Sequence, residues 1–246
     1  MVMRLMAETL AFISDIHGNV VALRSVLADI EARGVERVYC LGDLVGYGPD
    51  PEGVIGLIRD AEIPCIMGNY DDGVGFDRGD CGCYYADDAA RAIGDASYRF
   101  TVGAISPEGK AWLRSLPREL HVEAGGYRLH LVHGSPRRIN EYLLTDRDPR
   151  TFERLAVAED ADVLVFGHTH APWHRQYAGV HFVNVGSVGR PKDGDPRAAY
   201  TLLRLEPGRV DAETVRVAYD AEDTALAALA AGLPAGLAES FRTGRA

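Results

Sequence analysis

The chain of 246 residues carries 47% apolar, 8% aromatic and 25% charged side chains, enough apolar mass for one full globular core, which excludes disordered, collagen-like and coiled-coil chains. A formal charge of -10, from 26 basic and 36 acidic residues with no Lys/Arg block, argues against nonspecific nucleic-acid binding. No run approaches the roughly 20 apolar residues of a membrane span, and Cys40, Cys65, Cys81 and Cys83 form neither a dense disulfide framework nor a paired Cys-x-x-Cys zinc motif.

The opening MVMRLMAETLAFIS is interrupted by Arg4 and Glu8 and lacks signal-peptide order, so a cytoplasmic protein is expected. The first seventy residues read as βαβαβ. A strand is predicted from Leu10 to Ser14, and Val20, Leu23, Val26, Leu27 and Ile30 fall on one face of a helix that stops at Gly34. A second strand follows from Val38 to Leu41. Asp50 and Pro51 supply an N-cap and first-turn proline for a helix to about Asp60, before a third strand from Ile63 to Met67. Residues 72–83 hold several Gly and Asp without period and read as a long loop. Helices are expected over Tyr84 to Ala104 and from Ser106 through Leu116. Alternation from Leu120 then gives strands at Tyr127 to Val132, Val163 to Phe166, Val180 to Val185, Tyr200 to Leu205 and Val210 to Val217, with a helix near Thr151 to Ala158. The Ala-rich end from Ala221 reads as a surface helix and frayed tail.

Five apolar runs each end at a polar residue that can bind metal: Asp15 with His17, Asp43, Asn69, His133, and His168 with His170. Any one of these alone would pass as a turn, a helix cap or a buried structural histidine. Together they place imidazoles, two carboxylates and an amide oxygen at strand carboxyl ends, where open α/β sheets bind their ligands. A nitrogen and oxygen set without thiolate suits Mn, Fe, Zn or Co. Seven such groups exceed one tetrahedral site and suit two divalent ions about 3.5–4 Å apart sharing a carboxylate. Asp15/His17 and His168/His170, at i and i+2, point the same way if the chain is extended there.

The series D-x-H, G-D, G-N-x-D, H-G and G-H-x-H, in that order from Asp15 to His170, resembles the calcineurin-like metallophosphoesterase superfamily. The segments GDLVGYGPDP and NVGSVGRPKDGDP resemble its small prokaryotic members, which extends the likeness over most of the chain. The resemblance implies an α/β fold, a four-layer αββα sandwich of two mixed β-sheets with a dinuclear metal site at the strand ends. It implies one domain over residues 1–246, with residues 72–118 as a helical and loop cap and residues 221–246 as a C-terminal surface helix and tail. Asp15, His17 and His170 would then hold one ion, Asn69, His133 and His168 the other, and Asp43 would bridge them. The implied activity is hydrolysis of phosphate esters by in-line attack of a metal-bridging hydroxide.

The sequence departs from the pattern of the family it resembles at Tyr70, where a histidine usually follows the Gly-Asn. A neutral phenol with a pKa of about 10 replaces a cation, so Tyr70, with Asp71 beside it, is the catalytic candidate. Arg137 and Arg190, in loops near predicted ligands, are candidate phosphate clamps. A small phosphodiester or nucleotide-type pyrophosphate is the expected substrate. A phosphoprotein phosphatase and a catalytically weak binding scaffold are the alternatives.

Overall fold

The structure, a computed structural model, describes residues 7–245. The expectation for the first six residues lies outside the described residues. In chain order the elements are β1 (Glu8–Ile13), α1 (Val20–Ala32), β2 (Arg37–Cys40), α2 (Pro51–Asp60), α3 (Asn69–Gly75), α4 (Asp88–Ala104), α5 (Pro107–Ser115), β3 (Glu119–Ala124) and β4 (Tyr127–Val132). There follow α6 (Pro149–Ala158), β5 (Val163–Phe166), β6 (Trp173–Tyr177), β7 (Val180–Asn184), β8 (Ala198–Glu206), β9 (Arg209–Val217), α7 (Ala221–Ala230) and α8 (Ala235–Thr243). The strands form two mixed sheets, ordered β2-β1-β8-β9 and β3-β4-β5-β7-β6. In the first, β1 runs parallel to β2 and antiparallel to β8; in the second, β5 runs parallel to both neighbours.

Side-chain alternation produces the layers. On β1, Leu10 and Phe12 join Leu129 and Leu131 of β4, Val163 and Val165 of β5 and Leu203 of β8 in a core between the sheets. Ala11 and Ile13, one step out of phase, pack on the opposite face with Leu23 and Val26 of α1 and Val54 of α2. Leu164 and Phe166 face Phe152 and Leu155 of α6. The period of two thus yields helix, sheet, sheet, helix, the architecture expected. Among the described residues no helix is long and apolar enough to cross a membrane.

Four local expectations differ. Residues 63–67 do not form a strand but a single parallel bridge, Cys40 to Cys65, because the chain then turns away and Met67 N donates to Pro117 O at 2.7 Å. The region expected as loop from residue 72 begins inside α3, whose Gly73 and Gly75 conceal it from propensity; a Cβ on Gly73 would sit 2.5 Å from Asp80 O. β6, with the sequence WHRQY, is a half-exposed edge strand without apolar alternation. The C-terminus forms two docked helices: Leu237 and Phe241 of α8 are 0% and 1% exposed, and burial of Phe241 contributes about 1.5–3 kcal/mol.

Candidate metal centre

Four strand ends and one helix start meet at a single rim. Asp15 and His17 follow β1, Asp43 follows β2, His133 follows β4, His168 and His170 follow β5, and Asn69 is the first residue of α3. The turn after β1 stays tied to the turn after β2: Asp15 N donates to Gly42 O at 3.0 Å, His17 N to Asp43 O at 2.9 Å and Gly18 N to Leu44 O at 2.8 Å. The i, i+2 pairs are not extended, as alternation alone suggested. Asp15, His17, Asp43, His168 and His170 all have positive φ, between 50° and 66°. This left-handed region is otherwise kept for glycine but is visited by Asp and His more than by most residues. The turns fold back so that each pair converges on one point. Gly42, at φ 86°, admits the chain after β2, since a Cβ there would lie 2.3 Å from Gly68 N.

The side chains form two groups, Asp15 with His17 and His170, and Asp43 with His133 and His168; within each, the candidate ligand atoms lie within 4.8 Å of one another. Asp43 Oδ2 stands between them, 3.6 Å from His17 Nε2 and 3.4 Å from His133 Nε2. Asn69 joins the second group, with Oδ1 3.0 Å from His133 Nε2; its amide donates to Cys81 O at 3.0 Å, which turns the oxygen inward.

Proton placement shows what this cluster can hold. His17 Nδ1 donates to Val45 O at 2.9 Å and His170 Nδ1 to Arg190 O at 2.6 Å. Backbone carbonyls only accept, so Nδ1 carries the proton on both rings and Nε2 carries a lone pair. Those two Nε2 atoms face each other at 3.2 Å, with Asp15 Oδ1 3.3 Å from His170 Nε2. Asp15 Oδ1 and His168 Nε2 are buried without a hydrogen-bond partner. Lone pairs converging in a buried space without a donor fit a divalent cation.

Ionisation agrees. Burial pushes His17 and His168 down to about 3 and His170 well below the ordinary imidazole range, which keeps them neutral and able to ligate. Burial pushes Asp15 up to about 6. Burial would also raise Asp43, but His133 beside it outweighs that and holds the carboxylate below its usual range. Against the effect of burial, the Asp43 charge carries His133 up to about 10. Cation binding would displace that His133 proton.

Asp71 lies beneath the cluster and does not face the cavity chemistry directly. Its carboxylate accepts from Asp43 N at 2.8 Å, Gly68 N at 2.9 Å and Leu44 N at 3.0 Å. It thereby clamps the turn bearing Asp43 to the start of α3. Burial and the Asp43 charge raise it to about 7, against the pull of those N–H groups. Asp15 makes a similar link between the sheets, Oδ2 accepting from His168 N at 2.9 Å.

A cavity of about 360 Å³ opens over the cluster, lined among others by Tyr47, Tyr70, Tyr84, Tyr85, Tyr142, Arg190 and Lys192. Tyr70 is fully buried, its ring edge-on to His17 with centroids 5.4 Å apart and its hydroxyl without a hydrogen-bond partner. Burial raises its pKa well above 10, so the phenol stays protonated. Tyr142 packs on His168 at 4.0 Å. Arg190 faces the cavity; Arg137 does not, pairing instead with Glu141 outside the cavity. His174 pairs with His181 at 2.9 Å, also outside it. Tyr47 and Lys192 lie in the segments GDLVGYGPDP and NVGSVGRPKDGDP without having been singled out there, and Tyr142 lies in neither. The segment GRPKDGDP is the one signal that could have marked Lys192.

An αββα sandwich that brings carboxylates, imidazoles and an amide from two sheets to one rim defines a metallophosphoesterase. The chain belongs to the calcineurin-like phosphoesterase superfamily, whose domain matches residues 9–208. It is 33% identical over 254 residues to the uncharacterized protein MJ0912 of Methanocaldococcus jannaschii, covering 96% of this chain and 98% of that one. Identity to phosphodiesterase YfcE of Escherichia coli K12 is 29% over 79% of this chain and 86% of that protein. A crystal structure of a metallophosphoesterase from Sphaerobacter thermophilus aligns with a TM-score of 0.78 at 30% identity, covering 97% of this chain and 100% of that one.

Proposed function

We propose that the protein hydrolyses a small phosphodiester or nucleotide-type pyrophosphate, using two divalent transition-metal ions held by Asp15, His17 and His170 on one side, Asn69, His133 and His168 on the other, and Asp43 between them. The observation that carries this reading is the position of Asp43 Oδ2, within 3.6 Å of His17 Nε2 and 3.4 Å of His133 Nε2 in two otherwise separate groups of ligands. When bound, such ions supply Lewis acidity toward phosphoryl oxygens and ionise water near neutral pH.

The chain's own residues do the rest. Asp43 Oδ1 accepts from Tyr70 N at 2.8 Å, which fixes the carboxylate so that Oδ2 faces both groups. Tyr70 offers a neutral O–H to a substrate oxygen. Arg190, buried at the wall, orients a phosphoryl oxygen. Asp71 acts through the backbone of both ligand turns and is a positioning residue. The narrow tyrosine-lined cavity favours a small ester over a phosphoprotein loop.

The test combines metal content with a hydrolysis screen. Purified protein loaded with Mn should hold close to two ions per chain and cleave bis(p-nitrophenyl) phosphate or a dinucleotide polyphosphate faster than a phosphopeptide. Less than one ion per chain with no turnover of any ester would overturn the reading.

A further inference from the structure

The cavity wall carries two cations, Arg190 and Lys192, that among the described residues form no ion pair with a carboxylate. Arg190 is only 7% exposed, and Lys192 lies two residues further along the same loop. Among the described residues neither has a carboxylate within 4.0 Å, the ligands Asp15 and Asp43 included. The Arg190 guanidinium lies 4.2 Å over the Tyr47 ring, and its Nε meets Ser240 Oγ at 3.4 Å. Burying a guanidinium without a counter-ion is costly. Asp43 and Asp87 line the same cavity, but among the described residues neither approaches these cations closely enough to pair with them, which leaves the positive charge for a ligand.

The loop is not free to swing these cations elsewhere. Arg190 O accepts from His170 Nδ1 at 2.6 Å, and Arg190 N donates to Ser187 Oγ at 2.8 Å. Gly189 packs so tightly on the ligand turn that a Cβ would fall 1.7 Å from Ile16 O. The backbone at Gly189 and Arg190 is therefore held against the ligand turns, two residues before Lys192.

We infer that Arg190 and Lys192 form a subsite for a second phosphoryl group, so that the substrate carries two phosphoryl groups joined by an anhydride oxygen. The inference rests on the phosphoesterase reading of the centre and narrows it. In the reaction, water adds to the phosphorus at the ligand cluster and the bond from that phosphorus to the anhydride oxygen breaks. The electron pair stays on the departing phosphate, next to the two cations, and one proton passes to solvent. A phosphate leaves as a stable anion, so no histidine acid is needed at position 70, where this chain has Tyr70.

The test compares methylenediphosphonate with methylphosphonate, two unreactive probes, by titration calorimetry on Mn-loaded protein with metal content measured before and after. Wild type should bind the diphosphonate tighter by about 10-fold or more. Lys192→Met should reduce that preference about 10-fold with methylphosphonate binding unchanged, and Lys192→Arg should preserve it. Arg190→Gln, which also removes the group that orients a phosphoryl oxygen at the cluster, should weaken both probes but the diphosphonate more; if it does not fold, the partly exposed Lys192 carries the test alone. Equal losses for both probes, or none, would overturn the second subsite. A shifted preference in a protein that cleaves no ester would instead overturn the phosphoesterase reading and leave the subsite standing.

Discussion

His17 and His170 present their Nε2 lone pairs to each other across 3.2 Å, while both Nδ1 protons are engaged by backbone carbonyls. Two acceptors at that distance repel until a cation lies among them. Stripping the protein with a chelator should therefore lower its thermal midpoint, and adding back Mn should restore it. A cation at 100 times its dissociation constant stabilises by about 2.7 kcal/mol, or about 5–10 °C for a domain of this size. A midpoint indifferent to chelator, measured by scanning calorimetry, would remove the cation from the account.

Asp43→Asn keeps an oxygen for Tyr70 N but turns an NH₂ toward His17 and His133. We expect both ions to bind weakly and turnover to fall at least about 10²-fold. His17→Ala, which removes a ligand from one group only, should lose less. Metal analysis of each variant after dialysis separates shared from single ligation.

Gly46 has φ 92°, and a Cβ there would lie 2.3 Å from Tyr70 Cδ1. Gly46→Ala should destabilise the fold by about 1–3 kcal/mol and displace the Tyr70 ring. Combining it with Tyr70→Leu should recover part of the loss, because the clash disappears while the backbone strain remains. Strictly additive effects in this double-mutant cycle would contradict the contact.

Tyr70→Phe removes a neutral donor whose hydroxyl has no protein partner. The expected loss is about 1–3 kcal/mol of transition-state stabilisation, alike for good and poor leaving groups. A loss confined to alkyl esters, in kcat/KM measured across leaving groups, would make Tyr70 a proton donor instead.

Glu141 accepts from Arg137, Ser135 and Arg147. Burial would raise its pKa, but these partners outweigh that and lower it to about 2 from the ordinary 4.5. A depressed carboxylate contributes stability above the unfolded value and loses it as pH falls through the folded one. In chelator, wild type should therefore lose more stability than Glu141→Gln between pH 4.5 and about 2. Parallel acid-denaturation curves would show that the pairs contribute nothing.

The ligand turns were legible because each closes an apolar run, and the parallel strands β1, β2, β4 and β5 do deliver Asp15, Asp43, His133 and His168 to one rim. The left-handed backbone at Asp15, Asp43 and His168 was not. Periodicity reports which face a side chain takes in a regular element, and these residues lie just past the end of one. The edge strand β6 escaped because its side chains need no apolar face. Arg137 was misplaced for a related reason: its distance from His133 in sequence is short, but Glu141 holds it outside the cavity. Tyr142 approaches the cluster only through long-range packing, which no local pattern records.

Five of the seven candidate ligands hold left-handed backbone angles. Such angles cost a side-chain-bearing residue about 1–2 kcal/mol each, a cost met once, during folding, by the hydrogen-bonded turns around them. The cage is therefore shaped by the chain's own hydrogen-bonded turns. The same strain gives substitutions an unusual order. Glycine at any of the five removes the donor and relaxes the turn, whereas alanine removes the donor and keeps the tension. Chains that abandon the cage by way of glycine would become sturdier as they become inert.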